Sequence, residues 1–90
     1  MIVKNIHYSS KFVKEFKHLP TSMQQIAVAK ETLFRQNPLH PSLRLHALKG
    51  SLDGMWSLSF ANGYRIIFTR KENGDILFGS IGTHDVYKNL

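Results

Sequence analysis

Apolar and polar residues recur with two different periods along this chain, and the change of period falls at Leu43. Before that point, Ile2-Val3-Lys4-Asn5-Ile6-His7-Tyr8 is β-branched and aromatic enough to predict a first strand. Ser9 and Ser10 then offer N-cap oxygens to a short helix. In it Phe12, Phe16 and Leu19 fall at i, i+4 and i+7, one apolar stripe with the lysines largely off it. Pro20 ends this helix by pushing Leu19 out of the α region. Thr21-x-x-Gln24 and Ser22-x-x-Gln25 both read as capping boxes, so a second helix is predicted at once. Met23, Ile26, Ala29 or Lys30, and Leu33 carry its period until Asn37-Pro38 stops it.

From Leu43 the pattern reads as strand throughout. Leu43–Lys49 and Met55–Ala61 alternate, Tyr64–Arg70 follows, and Ile76–Ile81 closes the series. The connections are Gly50–Gly54, Asn62-Gly63 and Asn73-Gly74, and Asn-Gly is a strong signal for a two-residue hairpin loop. The order β-α-α-β-β-β-β implies an α+β fold. An N-terminal strand and a helical hairpin pack on one face of a mainly antiparallel four- to five-stranded sheet.

The turns set a register. With Asn62-Gly63 as the loop, Phe60 faces Arg65 and Leu58 faces Ile67. With Asn73-Gly74 as the loop, Phe68 faces Gly79, Ile67 faces Ser80 and Arg65 faces Gly82. His84 lies two residues further and on the same side by strand alternation. A five-residue Gly50–Gly54 loop sets Arg44 against Phe60 and His46 against Leu58. The expected helix-free face thus carries Arg44, His46, Arg65 and His84 around a floor of Trp56, Leu58 and Phe60. Ser57, Ser59, Ile66, Phe68, Leu77, Gly79 and Ile81 are expected beneath the helices.

Ninety residues support one domain, residues 1–90, and 42% hydrophobic with 20% charged is a globular composition. The chain has no cysteine, which fits a reducing cytosol, and no apolar run approaching a membrane span. A cytoplasmic location and no membrane partner are expected. The net charge of +6 favours polyanions or an acidic protein partner. His7, His18, His40, His46 and His84 show no zinc spacing, and Gly79-Ser80-Ile81-Gly82 lacks the Lys-Ser/Thr of a phosphate loop. No metal and no cofactor are expected.

Four segments together carry a family resemblance: Leu45-His46-Ala47-Leu48-Lys49-Gly50, Gly54-Met55-Trp56-Ser57, Gly63-Tyr64-Arg65-Ile66-Ile67-Phe68 and Ile81-Gly82-Thr83-His84-Asp85-Val86-Tyr87. The chain resembles the RelE/ParE superfamily of type II toxin–antitoxin toxins, in the style of its RelE/StbE and YoeB-like branch. The resemblance implies a small cytosolic toxin that enters the ribosomal A site and cuts mRNA. It also implies a cognate antitoxin encoded beside it as partner, with DNA met only through the antitoxin complex. By position, Arg65 matches the phosphate-stabilising arginine, and His84 the C-terminal histidine of YoeB-like members. Tyr87 resembles the terminal aromatic that stacks on or orients the nucleotide. The pair of lysines of RelE proper is absent from the strand that here reads Trp56-Ser57-Leu58, and the YoeB-like glutamate base has no counterpart near Arg44–Lys49.

Metal-free RNA cleavage needs a base for the 2′-hydroxyl, an acid for the 5′-oxygen and positive charge on the phosphorane. His84 suits either proton role, Arg65 the charge, and Tyr87 stacking or donation. His46 is the candidate second proton carrier. Arg44, Lys49 and Lys71 read as solvated cations that add general attraction for RNA. Trp56 reads as core or floor, not as a base-stacking platform. Two rival readings share the fold: a ParE-like inhibitor of DNA gyrase, and a catalytically weak homologue that mainly binds its antitoxin.

Overall fold

Ser9 does two jobs that set the first half of the molecule. In the computed structural model, which describes residues 1–89 except for the side chains of His84, Lys88 and Asn89, its Oγ accepts from Phe12 N at 3.0 Å and caps helix α1, Ser10–Lys17. The same hydroxyl donates to Gly79 O at 2.9 Å. Strand β1, Ile6–Tyr8, runs directly into this cap and is shorter than its sequence suggests; before Ile6, Asn5 O accepts from Ile76 N at 2.8 Å and Lys4 N donates to Gly74 O at 3.1 Å.

Helix α2 spans Thr21–Gln36, and its N-cap is Pro20, which has no side-chain donor or acceptor. The expected capping boxes are therefore not used. Gln24 Nε2 instead donates back to Phe16 O at 3.0 Å and Leu19 O at 3.2 Å. It adds a donor to carbonyls at the end of α1, and so joins the two helices at their turn.

The sheet has five strands in the order β1-β5-β4-β3-β2, with β2 at His46–Ala47, β3 at Met55–Ala61, β4 at Tyr64–Arg70 and β5 at Ile76–Thr83. β1 runs parallel to β5 and all other pairs are antiparallel. This is the expected α+β arrangement of a helical hairpin on a mainly antiparallel sheet. β2 is shorter than expected. Pro41–Leu43 forms a 3-10 turn, and Arg44 leaves it with φ 46° in the left-handed region. A non-glycine residue there costs about 1–2 kcal/mol. Fully buried Leu43 holds the turn against the core.

Strand β3 departs most from the turn-based register. Ala61 faces Tyr64 as expected, but Phe60 is bulged out of the ladder, so Ser59 faces Arg65, Leu58 faces Ile66 and Ser57 faces Ile67. On the other side His46 faces Ser57, because Leu48 N bonds Met55 O and the loop is one residue longer than supposed. β3 is thus displaced by one residue against both neighbours, which turns its side chains over. Trp56, Leu58 and Phe60 pack with the core under the helices, while Ser57 lies on the opposite face.

A smaller departure cancels itself. The β4–β5 loop holds three residues, with Lys71 N bonded to Asp75 O at 2.8 Å and Gly74 at φ 93°. Phe68 consequently faces Phe78, not Gly79. Gly79 is then skipped, which restores Ile67 to Ser80 and Arg65 to Gly82 as expected. Ile76 and Phe78, not Leu77 and Gly79, therefore join Ile66, Phe68 and Ile81 in the core with Phe12, Ala27 and Phe34. Phe34 and Phe68 have ring centroids 5.2 Å apart, and Phe12 and Phe78 5.4 Å.

β1 pairs with β5 only as far as Phe78. Beyond it, Glu15 from α1 takes over the exposed edge: its Oε1 accepts from Ser80 Oγ at 2.7 Å and from Ile81 N at 3.2 Å. Ser80 is fully buried. Glu15→Ala leaves both donors without this acceptor. It is expected to lower stability by about 1–3 kcal/mol, and thermal or urea unfolding checks it.

Candidate active site

The helix-free face is partly roofed by the chain's own C-terminal segment. β5 ends at Thr83, and His84–Asn89 folds into a 3-10 helix. Gly82 permits the crossing, since a Cβ there would sit 2.8 Å from Val86 Cγ1. Val86 is buried at the crossing, and the face beneath carries buried Ser57, Ile67 and Ser80.

Tyr87 comes back over the sheet to Arg65. Arg65 Nη1 donates to Tyr87 Oη at 3.1 Å, and Tyr87 Oη donates to Ser57 Oγ at 3.3 Å. The guanidinium carbon lies 5.6 Å from the Tyr87 ring centroid, so the cation meets both the hydroxyl and the π-face. Arg65 Nε is buried and has no partner among the described residues. A guanidinium has five N–H donors. Tyr87 takes one of them and Nε is buried, so the other Nη hydrogens are the donors left for an anion.

His46 lies on the same face, opposite Ser57 and about 12 Å from Arg65 at Cα by strand spacing. It flanks Arg65 without touching it. Its Nδ1 is 3.1 Å from Arg44 O, and a carbonyl only accepts. A neutral imidazole in that contact carries its proton on Nδ1 and its lone pair on exposed Nε2, the tautomer a general base requires.

The remaining expected residues divide. His84 begins the 3-10 helix immediately after the strand end that pairs with Tyr64 and Arg65. Strand alternation therefore no longer applies to it, and its side chain lies outside the described residues. Arg44 is not in a strand facing Phe60; it follows the 3-10 turn and shares a cavity with Arg65. Lys49 and Lys71 are exposed at the opposite end of the sheet. Lys71 follows the far end of β4, about 20 Å from Arg65 at strand rise. Trp56, Leu58 and Phe60 are core and form no floor here.

Ser57 was not among the expected site residues. Its signal was its place in Ser57-Leu58-Ser59-Phe60, where the serines alternate with large apolar residues that belong inside. Among the described residues, no group of three or more His, Cys, Asp or Glu is arranged to hold a metal ion. No described helix is long and apolar enough to cross a membrane.

Known proteins match this architecture. Residues 4–88 match the family model described as a bacterial toxin of type II toxin–antitoxin systems, YafQ. Among solved structures the chain is similar to YafQ from E. coli strain BL21(DE3), at 22% identity over 93% of this chain and 97% of that one, with TM-score 0.77. It is also similar to a YoeB/ParE toxin from Agrobacterium tumefaciens, at 13% identity over 90% and 99%, TM-score 0.75. A third similar structure is from the E. coli DinJ–YafQ toxin–antitoxin complex, at 21% identity over 94% and 97%, TM-score 0.67. At these identities the structural likeness speaks for the fold. No curated protein matches by sequence.

Tyr87→Phe removes the hydroxyl that bridges Arg65 and Ser57. The expected result is a fold retained with about 1 kcal/mol less stability and faster amide hydrogen exchange confined to the C-terminal segment. Exchange unchanged from wild type would show that the bridge does not hold that segment.

Proposed function

The chain belongs to the YafQ family of bacterial toxins from type II toxin–antitoxin systems, and from that premise we propose that it is a ribosome-dependent endoribonuclease. In this reading it cuts mRNA in the ribosomal A site, and a cognate antitoxin holds it inactive. The observation that carries the reading is Arg65, held through Nη1 by Tyr87 Oη with other Nη hydrogens to spare, beside the strand end from which His84 departs. A type II toxin with a fixed cation at the end of a helix-free sheet face has the central requirement for attacking a phosphodiester.

The reaction follows from the residues in order. The 2′-hydroxyl attacks the adjacent phosphorus and loses its proton to a base as the new O–P bond forms. The bond from phosphorus to the 5′-oxygen breaks, and that oxygen takes a proton from an acid. Charge accumulates on the non-bridging oxygens between the two steps. Arg65 neutralises it through paired N–H donors, which a point charge cannot match in geometry. His84 serves as base or acid, and His46 Nε2 supplies the second proton site. Tyr87 orients Arg65 and offers its ring to the nucleotide. Substrate closure has to bridge the separation between His46 and Arg65, and the A site supplies the mRNA conformation that does so.

The complex of a YafQ with DinJ is a toxin–antitoxin complex by its own description. We extend that type of partner to this chain, whose net charge of +6 favours an acidic antitoxin segment.

Primer extension on mRNA in purified translating ribosomes tests the reading. Wild type is expected to cut within the A-site codon. Arg65→Ala is expected to slow the cut by about 10²–10³-fold, and His84→Ala by about 10²–10⁴-fold. Intact mRNA with wild-type protein would overturn the endonuclease reading, and a His84→Ala protein as fast as wild type would remove His84 from the mechanism.

A further inference from the structure

The hairpin tip between β3 and β4 and the turn before β2 enclose an open, polar cavity of about 230 Å³ beside Arg65. Lys30 from α2, Ser42 and Arg44 from the Pro41–Leu43 turn, and Arg65 from β4 line it together with uncharged residues of the hairpin. None of the lining residues is acidic. Three cations from separate parts of the chain converge on one space with no carboxylate among them.

Two of these groups are held in place. Lys30 Nζ donates to Ser42 Oγ at 3.2 Å. Ser42 is itself fixed by His40, whose Nδ1 accepts from Ser42 N at 3.1 Å and lies 2.8 Å from Ser42 Oγ. Accepting the amide proton means that Nδ1 carries a lone pair, so the hydroxyl also donates to it. Ser42 Oγ is then an acceptor for Lys30, which keeps further N–H donors for a ligand. Arg44 is the sole described non-glycine residue with positive φ. A strained backbone carrying an exposed guanidinium toward a cavity is a common mark of a binding position.

We propose that this cavity is a phosphate subsite, in which Lys30, positioned by Ser42, and Arg44 bind an RNA backbone phosphate next to the one at Arg65. The assignment of the anion as RNA rests on the endoribonuclease reading; the cationic cavity does not. Lysine supplies a point charge and Arg44 a planar fork, the combination that suits tetrahedral oxygens approached from two sides. The strand enters over the Asn62–Gly63 tip, and its next phosphate reaches Arg65.

The test is fluorescence anisotropy of a labelled, cleavage-resistant 2′-O-methyl oligoribonucleotide against the full-length free protein over a range of KCl. The double variant K30Q/R44Q is expected to bind at least about tenfold more weakly. Its log–log salt slope is expected to be shallower by about 0.7, because the two side chains neutralise one phosphate of a single strand. Arg44→Gly relaxes the left-handed backbone while removing the charge, so it separates lost charge from a damaged fold. It is expected to bind as weakly as Arg44→Gln. Arg44→Gly binding like wild type would overturn the proposal.

Co-sedimentation with ribosomes lacking mRNA identifies the source of the phosphate. Weakening on the oligonucleotide assigns it to the strand being cut, and weakening on vacant ribosomes alone assigns it to ribosomal RNA. Unchanged affinity and slope on both would overturn the subsite. A protein that shows the subsite effect but never cuts mRNA would sink the endonuclease reading alone. One that cuts mRNA while K30Q/R44Q binds as wild type would sink the subsite alone.

Discussion

The burial of Leu58 and Phe60 under the helical hairpin is the constraint from which the site follows. Each such side chain gains about 1.5–3 kcal/mol by leaving water. Two serines in their place would gain nothing and would leave the core underfilled. A β-bulge at Phe60 absorbs the conflict between this demand and the tight Asn62-Gly63 turn. Once Leu58 and Phe60 point inward, Ser57 points outward, and it lies where Tyr87 Oη can reach it. Ser57 thereby anchors the tyrosine that in turn aims Arg65. Core packing on one side of the sheet and the aim of a guanidinium on the other are consequences of one register.

The site itself is assembled late in the chain and late in the fold's hierarchy. α1 secures the sheet edge through Ser9 and Glu15, and α2 supplies Phe34 to the core. These contacts fix β5, and β5 fixes where the C-terminal segment departs. The groups proposed for chemistry lie at a strand end, beside a turn and on a short 3-10 helix. Loops and ends positioned by a rigid scaffold carry function in many folds. In this one the helices stand on the far side of the sheet and leave the reacting face to the chain's two ends of β2 and β5.

Much of this was legible in the sequence, and the failures have identifiable causes. The helical stripe of Phe12, Phe16 and Leu19 and the break at Asn37-Pro38 correctly marked the hairpin, because both depend on local chemistry. Arg65 opposite Gly82 was also correct, although by way of a longer loop and a skipped Gly79 whose effects cancel. The Asn62-Gly63 turn by itself implies the opposite face for β3, whereas the alternation of Ser57-Leu58-Ser59-Phe60 agrees with the observed one. The energies favour the alternation. Strand alternation does not extend to His84, because the strand ends at Thr83 and Gly82 lets Val86 approach. That is a long-range packing event with no local signature. Lys49 and Lys71, read as solvated cations, are exposed at the far end of the sheet from Arg65, a position that charge alone does not carry.

Attack by the 2′-hydroxyl is the central chemical claim, and the ends of the cut RNA report on it directly. Cleavage products from ribosomes treated with wild-type protein can be tested for their termini, with a parallel mRNA carrying a single 2′-deoxy sugar at the cut. The account predicts a 2′,3′-cyclic phosphate on one fragment, a 5′-hydroxyl on the other, and no cut at the 2′-deoxy position. Fragments with a 3′-hydroxyl and a 5′-phosphate, or a cut that survives the 2′-deoxy sugar, would contradict it.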